Sequence, residues 1–279
     1  MQHLTYQQIA PMNIHFVQFP FNFFLDAIQQ NDLNRIELWG GAPSVSIDTI
    51  SFFSLERIRK EVESRGLKIA CFTPETCFYP INIASTDKET RERSLRYSLR
   101  GLQITQDLGA PIMQVVCGKG YFDRDISESW KYACESLTYL SERASSYGIH
   151  LTLEPLSPYE SNLVNSLKKT QEMMEEINSP FIGINIDTVP LDMTHTSLKA
   201  YFKEFKSKIN HFHFCDRNDN AGWIPCGDGH MPIPELLRII DDNEYSGSIG
   251  LEICGNTYYK EPDVALTRAL KYLRACMEE

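Results

Sequence analysis

Residues 95–117 read LRYSLRGLQITQDLGAPIMQVVC, and they join a helical pattern to a strand pattern. Apolar side chains recur near the helical period of 3.6 residues along the first half, at Leu95, Leu99, Leu102 and Ile104. Gly109 and Pro111 then end the helix, because glycine favours helix C-termini and proline cannot continue one. The run at 112–117 is mostly apolar, which is typical of a parallel strand buried on both faces. The stretch therefore predicts a helix followed by a buried parallel strand.

The same alternation of a short apolar run and a longer helical segment continues along the whole chain. Runs that predict eight strands lie at 12–17, 35–39, 68–72, 112–117, 150–154, 183–187, 211–215 and 248–253. No linker or change of composition divides them, so the pattern predicts one domain over residues 1–279. An open doubly wound sheet is the alternative, but it usually carries a glycine loop after its first strand, and none follows Val17. The strand signals favour a single (β/α)8 TIM barrel of the α/β class.

Composition limits the classes of function. The 279 residues carry a formal net charge of -10, which repels phosphate backbones and argues against a nucleic-acid partner. The eight cysteines show no C-x-x-C spacing and no dense cluster, so reduced thiols are expected. No signal peptide precedes the first strand, and no window is long and apolar enough for a membrane span. The prediction is a cytoplasmic protein with no membrane partner.

Polar side chains at the ends of the strands point to a metal site, since barrel active sites lie at the C-terminal ends of the strands. The last four predicted strands each supply one such residue, about one βα unit apart: Glu154, Asp187, His213 and Glu252. A single carboxylate there is more often a helix cap or a salt bridge. Three negative charges in one low-dielectric site, however, oppose one another unless a cation is bound. This oxygen-rich set suits one divalent cation, Mn²⁺, Co²⁺, Mg²⁺ or Zn²⁺, with positions open to substrate oxygens.

Four further segments stand out, spread over nearly the whole chain: IELWGG at 36–41, FTPETCFYP at 72–80, LTLEPLSPYESNLV at 151–164 and IPCGDGHMP at 224–232. With the four strand ends, they resemble the ketose 3-epimerases of the xylose isomerase-like barrel superfamily, especially the fructoselysine type. The resemblance implies a metal-dependent isomerase that acts on a sugar or fructosamine and associates into a homo-oligomer. It also implies that the four strand-end residues bind the metal and that Glu154 and Glu252 are the catalytic pair.

The predicted pair also makes chemical sense. Inversion of carbon 3 of a ketose requires removal of the proton alpha to the C2 carbonyl and its return on the opposite face. Two carboxylates on opposite sides can carry out both transfers. A cation that holds the C2 carbonyl oxygen and the C3 hydroxyl polarises the carbonyl and stabilises a cis-enediolate. Glu154 and Glu252 are therefore predicted to alternate as base and acid.

Five residues are predicted to contact the substrate: Glu160, His211, Asp216, Trp39 and Glu75. Glu160 and Asp216 stand where related epimerases carry acidic residues, but a surface charge and a loop cap are the respective alternatives. His211 shares a strand face with His213, so it contacts substrate, supports a ligand or is a buried structural histidine.

The second strand and the loop after the third supply the other contacts. Trp39 and Glu37 share one strand face and are expected at the barrel mouth, where Trp39 packs against the carbon skeleton of the substrate. Glu75 follows the third strand, and it can reach a polar substrate group, including the amine of a fructosamine.

The chain departs from most ketose 3-epimerases in two substrate-shell positions. The segment at 187–190 is DTVP, without the usual histidine, and Asp219 stands where an arginine is common. Simple hexuloses are therefore less expected than fructosamines. An aldose-ketose isomerase, a sugar or inosose dehydratase and a non-enzymatic metal- or sugar-binding barrel remain alternatives. An endonuclease IV-type hydrolase is disfavoured by the acidic charge and the 7 histidines, because that enzyme gathers many histidines around three zinc ions.

Overall fold

A computed structural model describes residues 1–76, 81–254 and 256–278. Parallel strands form an 8-stranded sheet in the order β1-β8-β7-β6-β5-β4-β3-β2. The strands are β1 (Ile9–Pro11), β2 (Arg35–Gly40), β3 (Lys68–Pro74), β4 (Ile112–Val115), β5 (His150–Leu153), β6 (Ile182–Asp187), β7 (Ile209–Phe214) and β8 (Ser248–Leu251). A parallel bridge between Met12 and Glu37 joins the two edges, so the barrel is nearly closed. The predicted (β/α)8 barrel is confirmed.

Helices alternate with the strands. They are α1 (Phe21–Gln30), α2 (Phe52–Ser64), α3 (Lys88–Leu108), α4 (Ser127–Tyr147), α5 (Leu167–Ile177), α6 (Thr188–Met193), α7 (Leu198–Phe205), α8 (Ile233–Asp242) and α9 (Pro262–Glu278). At the start of α3, the Asp87 carboxylate accepts a hydrogen bond from the Thr90 amide at 2.8 Å. The helix ends at Gly109, whose φ of 71° lies in the left-handed region that favours glycine.

The first predicted strand, at 12–17, was wrong. β1 lies earlier in the chain, where Ile9 pairs with Ile249 of β8. Residues Asn13–Phe16 form a short 3₁₀ helix instead. Phe16 packs against Phe24 of α1, with ring centroids 5.1 Å apart, so this apolar run serves helix packing and not the sheet. The other seven predicted strands overlap the observed ones.

The hydrophobic core lies between the strands and the surrounding helices. Side chains with no exposed surface include Leu102 and Ile104 of α3 and Leu137 and Leu140 of α4. Each such side chain contributes roughly 1.5–3 kcal/mol by leaving water. The barrel interior is different, because it buries polar side chains: Glu37, Gln114, Asn185, His211 and His213. Strand alternation thus gives the barrel an apolar outside and a polar inside.

The cysteines within the described ranges form no disulfide with one another, and Cys77 lies outside those ranges. Across residues 1–76, 81–254 and 256–278, no helix has both the length and the apolar character needed to cross a membrane.

Candidate metal centre and active site

The four predicted ligands lie at the C-terminal ends of four neighbouring strands. Glu154 directly follows β5, Asp187 ends β6, His213 lies in β7 and Glu252 directly follows β8. The strand register brings these positions level, because Asp187 pairs with His213 and His213 pairs with Gly250. The ladder continues past the strands, since the Glu154 amide donates to the Val115 carbonyl at 3.0 Å. All four side chains therefore arise at the same mouth of the barrel.

Two of the predicted ligands, Glu154 and Glu252, converge on a ring nitrogen of a third, His213. His213 Nδ1 lies 3.0 Å from Glu154 Oε1 and 3.1 Å from Glu252 Oε2. One ligand atom from each of the three residues lies within 4.8 Å of the others, which is a spacing that one cation can bridge. His213 and Glu154 are only 1% and 4% exposed, so these groups are not solvated surface charges.

Asp187 lies beside this group, but outside the set within 4.8 Å. Its Oδ1 accepts a hydrogen bond from the Val189 amide at 2.9 Å at the start of α6, and its Oδ2 accepts one from Trp223 Nε1 at 2.8 Å. Burial raises the pKa of Asp187 well above its usual range, and the charges of Glu252 and Glu154 raise it further. Asp187 is thus electrostatically part of the site.

The electrostatics of these residues fit a bound cation. Burial alone would lower the pKa of His213, but the carboxylates of Glu252, Glu37 and Glu154 together raise it well above its ordinary value. Negative charge therefore accumulates around the imidazole in a region that water hardly reaches. A divalent cation held by the same oxygens and Nδ1 would neutralise that charge.

Each predicted ligand also has a hydrogen-bond partner that the sequence did not reveal. Gln114 Nε2 donates to Glu154 Oε2 at 2.5 Å, and the Cys254 thiol donates to Glu252 Oε1 at 3.5 Å. Trp223 holds Asp187, and Glu37 contacts His213. Gln114 had a signal, because a polar residue inside the mostly apolar run 112–117 is unusual. Trp223 had none, since it lies in a loop far along the chain.

Glu37 was expected at the barrel mouth, but it is fully buried and lies behind His213. Its Oε2 is 2.8 Å from His211 Nε2, its Oε1 is 2.9 Å from His213 Nε2, and Thr73 also donates to Oε1. His211 has no exposed surface either. The contacts of His211 therefore favour support of a ligand over direct contact with substrate.

Two predicted substrate contacts, Trp39 and Glu75, contact each other. Trp39 Nε1 donates to Glu75 Oε2 at 2.9 Å, and the Tyr97 hydroxyl donates to the Glu75 carbonyl at 3.0 Å. Both Trp39 and Glu75 are partly exposed beside the barrel mouth. The last four residues of the segment 72–80, at 77–80, lie outside the described residues.

Glu160 and Asp216 have local backbone partners. Glu160 Oε2 accepts a hydrogen bond from the Ser157 amide at 3.1 Å, and burial together with the charge of Glu154 raises the pKa of Glu160. Asp216 is 1% exposed and accepts hydrogen bonds from the amides of Arg217, Gly227, Gly229 and Met231. These contacts support the loop-cap alternative for Asp216. Substrate contact by either residue stays a prediction.

The profile of the xylose isomerase-like TIM barrel family matches residues 25–276. A fructoselysine 3-epimerase of Escherichia coli is 28% identical over 246 residues, which cover 88% of this chain and 89% of that protein. A crystal structure of D-psicose 3-epimerase with D-tagatose, from Clostridium cellulolyticum, has a TM-score of 0.79 at 14% identity, covering 96% of this chain and 98% of that one. An apo 3-keto-D-glucoside 4-epimerase from Escherichia coli has a TM-score of 0.79 at 20% identity, covering 97% and 100%. The two structures support the fold alone.

Proposed function

Because the chain belongs to the xylose isomerase-like TIM barrel family and is an isomerase-class enzyme, we propose that it inverts carbon 3 of a ketose or ketosamine. The observation that carries this proposal is the convergence of two carboxylates, Glu154 and Glu252, on Nδ1 of His213. Such a pair is what proton removal and return at one carbon require. The name of the fructoselysine 3-epimerase relative supports a substrate of the fructoselysine or psicoselysine type.

In this proposal one divalent cation, Mn²⁺, Co²⁺, Mg²⁺ or Zn²⁺, is held by Glu154, Asp187, His213 and Glu252. The three carboxylates and one imidazole suit any of these ions. When bound, the cation would polarise the C2 carbonyl and offset the negative charge that develops on the substrate oxygens.

The two catalytic carboxylates approach the sugar from different sides. Glu154 follows β5 and Glu252 follows β8, and β6 and β7 lie between these strands. One carboxylate removes the C3 proton, and the other returns a proton to the opposite face of the enediolate. Gln114 holds Oε2 of Glu154, which turns Oε1 towards His213 and the mouth. Proton transfer in the reverse direction exchanges the two roles.

A fructosamine differs from a simple ketohexose by a positively charged amine beside the C2 carbonyl. Glu75, oriented by its hydrogen bond from Trp39, is a carboxylate at the mouth that could pair with such a charge. Asp219, which stands where an arginine is common, has a side chain that is 94% exposed, and its Oδ1 lies 3.9 Å from His230 Nδ1. We therefore propose a ketosamine ahead of a free ketohexose.

The test is a substrate panel followed by 13C NMR. Metal-loaded protein is incubated with fructoselysine and with free ketohexoses, and the products are identified. Formation of the 3-epimer, fastest from fructoselysine, would support the proposal, and Glu75→Gln should raise KM for fructoselysine more than for the ketohexoses. An aldose product would indicate an aldose-ketose isomerase, and loss of water would indicate a dehydratase. Binding of sugar with no product would indicate a non-enzymatic barrel.

A further inference from the structure

Glu37 is a buried carboxylate outside the proposed metal centre and the proposed proton-transfer pair, although one ligand atom from each of Glu37, His211 and His213 also lies within 4.8 Å of the others. It lies in β2 with no exposed surface, so it cannot contact a substrate at the mouth. The missing side chain of Gly250 nevertheless leaves space for the Glu37 carboxylate. A Cβ atom at Gly250 would lie 1.9 Å from Glu37 Oε2, so only glycine at this position of β8 leaves room for the carboxylate.

The contacts of Glu37 determine which nitrogen of His213 can bind a cation. The carboxylate Oε1 lies 2.9 Å from His213 Nε2, and an ionised carboxylate can only accept a hydrogen bond. His213 Nε2 therefore keeps its proton when the ring is neutral, so Nδ1 is the nitrogen that would bind a cation. Nδ1 is the atom that faces Glu154 and Glu252.

His211 and Thr73 in turn hold Glu37. His211 Nε2 lies 2.8 Å from Oε2, and the Thr73 hydroxyl donates to Oε1. The carboxylate thus receives hydrogen bonds at both oxygens, which prevents its rotation. The two histidine rings stand nearly perpendicular, at 83° with centroids 5.5 Å apart, so each reaches a different oxygen.

We propose that Glu37, held by His211 and Thr73, is a positioning residue that fixes the tautomer and ring orientation of His213 and thereby strengthens divalent-metal binding. This inference rests on the proposed metal centre and adds a residue that does not itself bind the metal. Carboxylate partners of metal-bound histidines act in this way in other metalloproteins, and their loss weakens metal binding by about 10–100-fold.

The first experiment measures the Kd for Mn²⁺ by calorimetry on metal-free protein. Glu37→Gln keeps the size of the side chain, but one oxygen becomes an amide donor, so it cannot accept from both histidines. We expect the Kd of Glu37→Gln to rise by about 10–100-fold. Asp241→Asn is the matched control, because it makes the same change at a buried carboxylate that binds backbone amides near the N-terminus, and its Kd should equal that of the wild type.

A second measurement needs no variant, in case Glu37→Gln does not fold. In Zn²⁺-loaded wild-type protein with 15N-labelled histidine, NMR should show a proton on His213 Nε2 and none on Nδ1. The opposite tautomer would overturn the inference, and so would an unchanged Mn²⁺ affinity in folded Glu37→Gln. A wild-type protein that binds neither ion would instead overturn the metal centre and this inference together.

Discussion

At the scale of single residues, each proposed metal ligand is paired with a residue that holds it by a hydrogen bond. Gln114, Trp223, Glu37 and Cys254 each contact a different proposed ligand. Such partners restrict the rotamers of the ligands before a cation arrives, and this reduces the entropy that binding must overcome. The affinity for metal should therefore depend on residues that do not touch it.

Glu154→Gln and Glu252→Gln should affect the two 3-epimers differently. Each carboxylate serves one face of the sugar, so each variant should still exchange the C3 proton of one epimer and fail with the other. Turnover to the opposite epimer should fall about 10²–10⁴-fold in both variants. Proton NMR in D2O with each epimer separately measures this, at Mn²⁺ concentrations that saturate every variant. Glu63→Gln on the exposed face of α2 is the control. Loss of the same epimer's exchange in both variants would contradict the two-face assignment.

Trp223→Phe should weaken metal binding without removing it. The indole donates to Asp187 Oδ2 at 2.8 Å, and loss of a hydrogen bond to a charged group costs about 1.5–3 kcal/mol at most. We expect the Mn²⁺ Kd to rise by roughly tenfold. Trp130→Phe is a matched control, since Trp130 Nε1 donates to Glu176 Oε1 at 2.8 Å on the exterior. Equal affinities in the two variants would rule out a role for the Trp223 hydrogen bond.

Residue patterns pointed to the proposed ligands but not to their hydrogen-bond partners. The four residues proposed as ligands were chosen because each stands at or near the end of an apolar run: Glu154, Asp187, His213 and Glu252. Glu37 was predicted at the mouth, but it is fully buried. Alternation along β2 shows that Glu37 and Trp39 share one face of the strand, but it does not show how far below the mouth each residue lies. The contact between Trp39 and Glu75 joins β2 to the loop after β3, and residue spacing along one sequence does not predict such a contact.

At the scale of elements, the end of α8 anchors the start of the chain. The Asp241 carboxylate accepts hydrogen bonds from the amides of Gln2, His3 and Leu4. Burial acts to raise the pKa of Asp241, but these amides and the N-terminal ammonium outweigh it and lower the pKa below its ordinary value. Asp241 therefore stabilises the folded protein in its charged form.

Asp241→Asn should lower the free energy of unfolding by about 1.5–3 kcal/mol at pH 7, because the amide accepts fewer of these hydrogen bonds. The folded-state pKa is depressed, so the contribution is fully present above the unfolded-state pKa of about 3.9 and is lost as the pH falls through the folded-state value. Urea unfolding at pH 7 and near pH 3 measures the difference, with the exposed neighbour Asp242→Asn as control. A difference between variant and wild type that grows as the pH falls would contradict this account.

The elements also show where periodicity reaches its limit. The helix and strand in 95–117 were predictable because Gly109 ends the helix sharply and the strand is buried on both faces. The run 12–17 is also mostly apolar, yet Phe16 packs on α1 and the strand is the three residues Ile9–Pro11. A strand that short carries too few residues to display alternation.

At the scale of the whole molecule, the barrel brings together four proposed ligands that are far apart in sequence. Their distance along the chain is set by the βα repeat, so the architecture and the predicted ligands depend on the same periodic signal. The single domain and the cytoplasmic location stay predictions. The homo-oligomer also stays a prediction, because surface residues that decide association carry no comparable period.

Removal of the cation should lower the melting temperature of the entire barrel. A ligand at about 100 times its Kd stabilises the folded state by about 2.7 kcal/mol, which corresponds to roughly 5–10 °C for a protein of this size. Differential scanning fluorimetry of EDTA-treated protein, with and without added Mn²⁺, measures the shift. Two controls are Asp187→Asn with added Mn²⁺ and the wild type with NaCl added in place of Mn²⁺. Neither addition should raise the melting temperature by the full amount. Equal melting temperatures with and without Mn²⁺ would argue against a cation bound by the folded state.

The central claim is that Glu154 and Glu252 move a proton at carbon 3 of the substrate beside a bound cation. The most direct measurement is the position of deuterium in the product after the metal-loaded enzyme acts on fructoselysine in D2O. The account predicts one deuterium at C3 of the 3-epimer, and none after treatment with EDTA. Product that carries deuterium at C1, or product formed with no deuterium at C3, would contradict it.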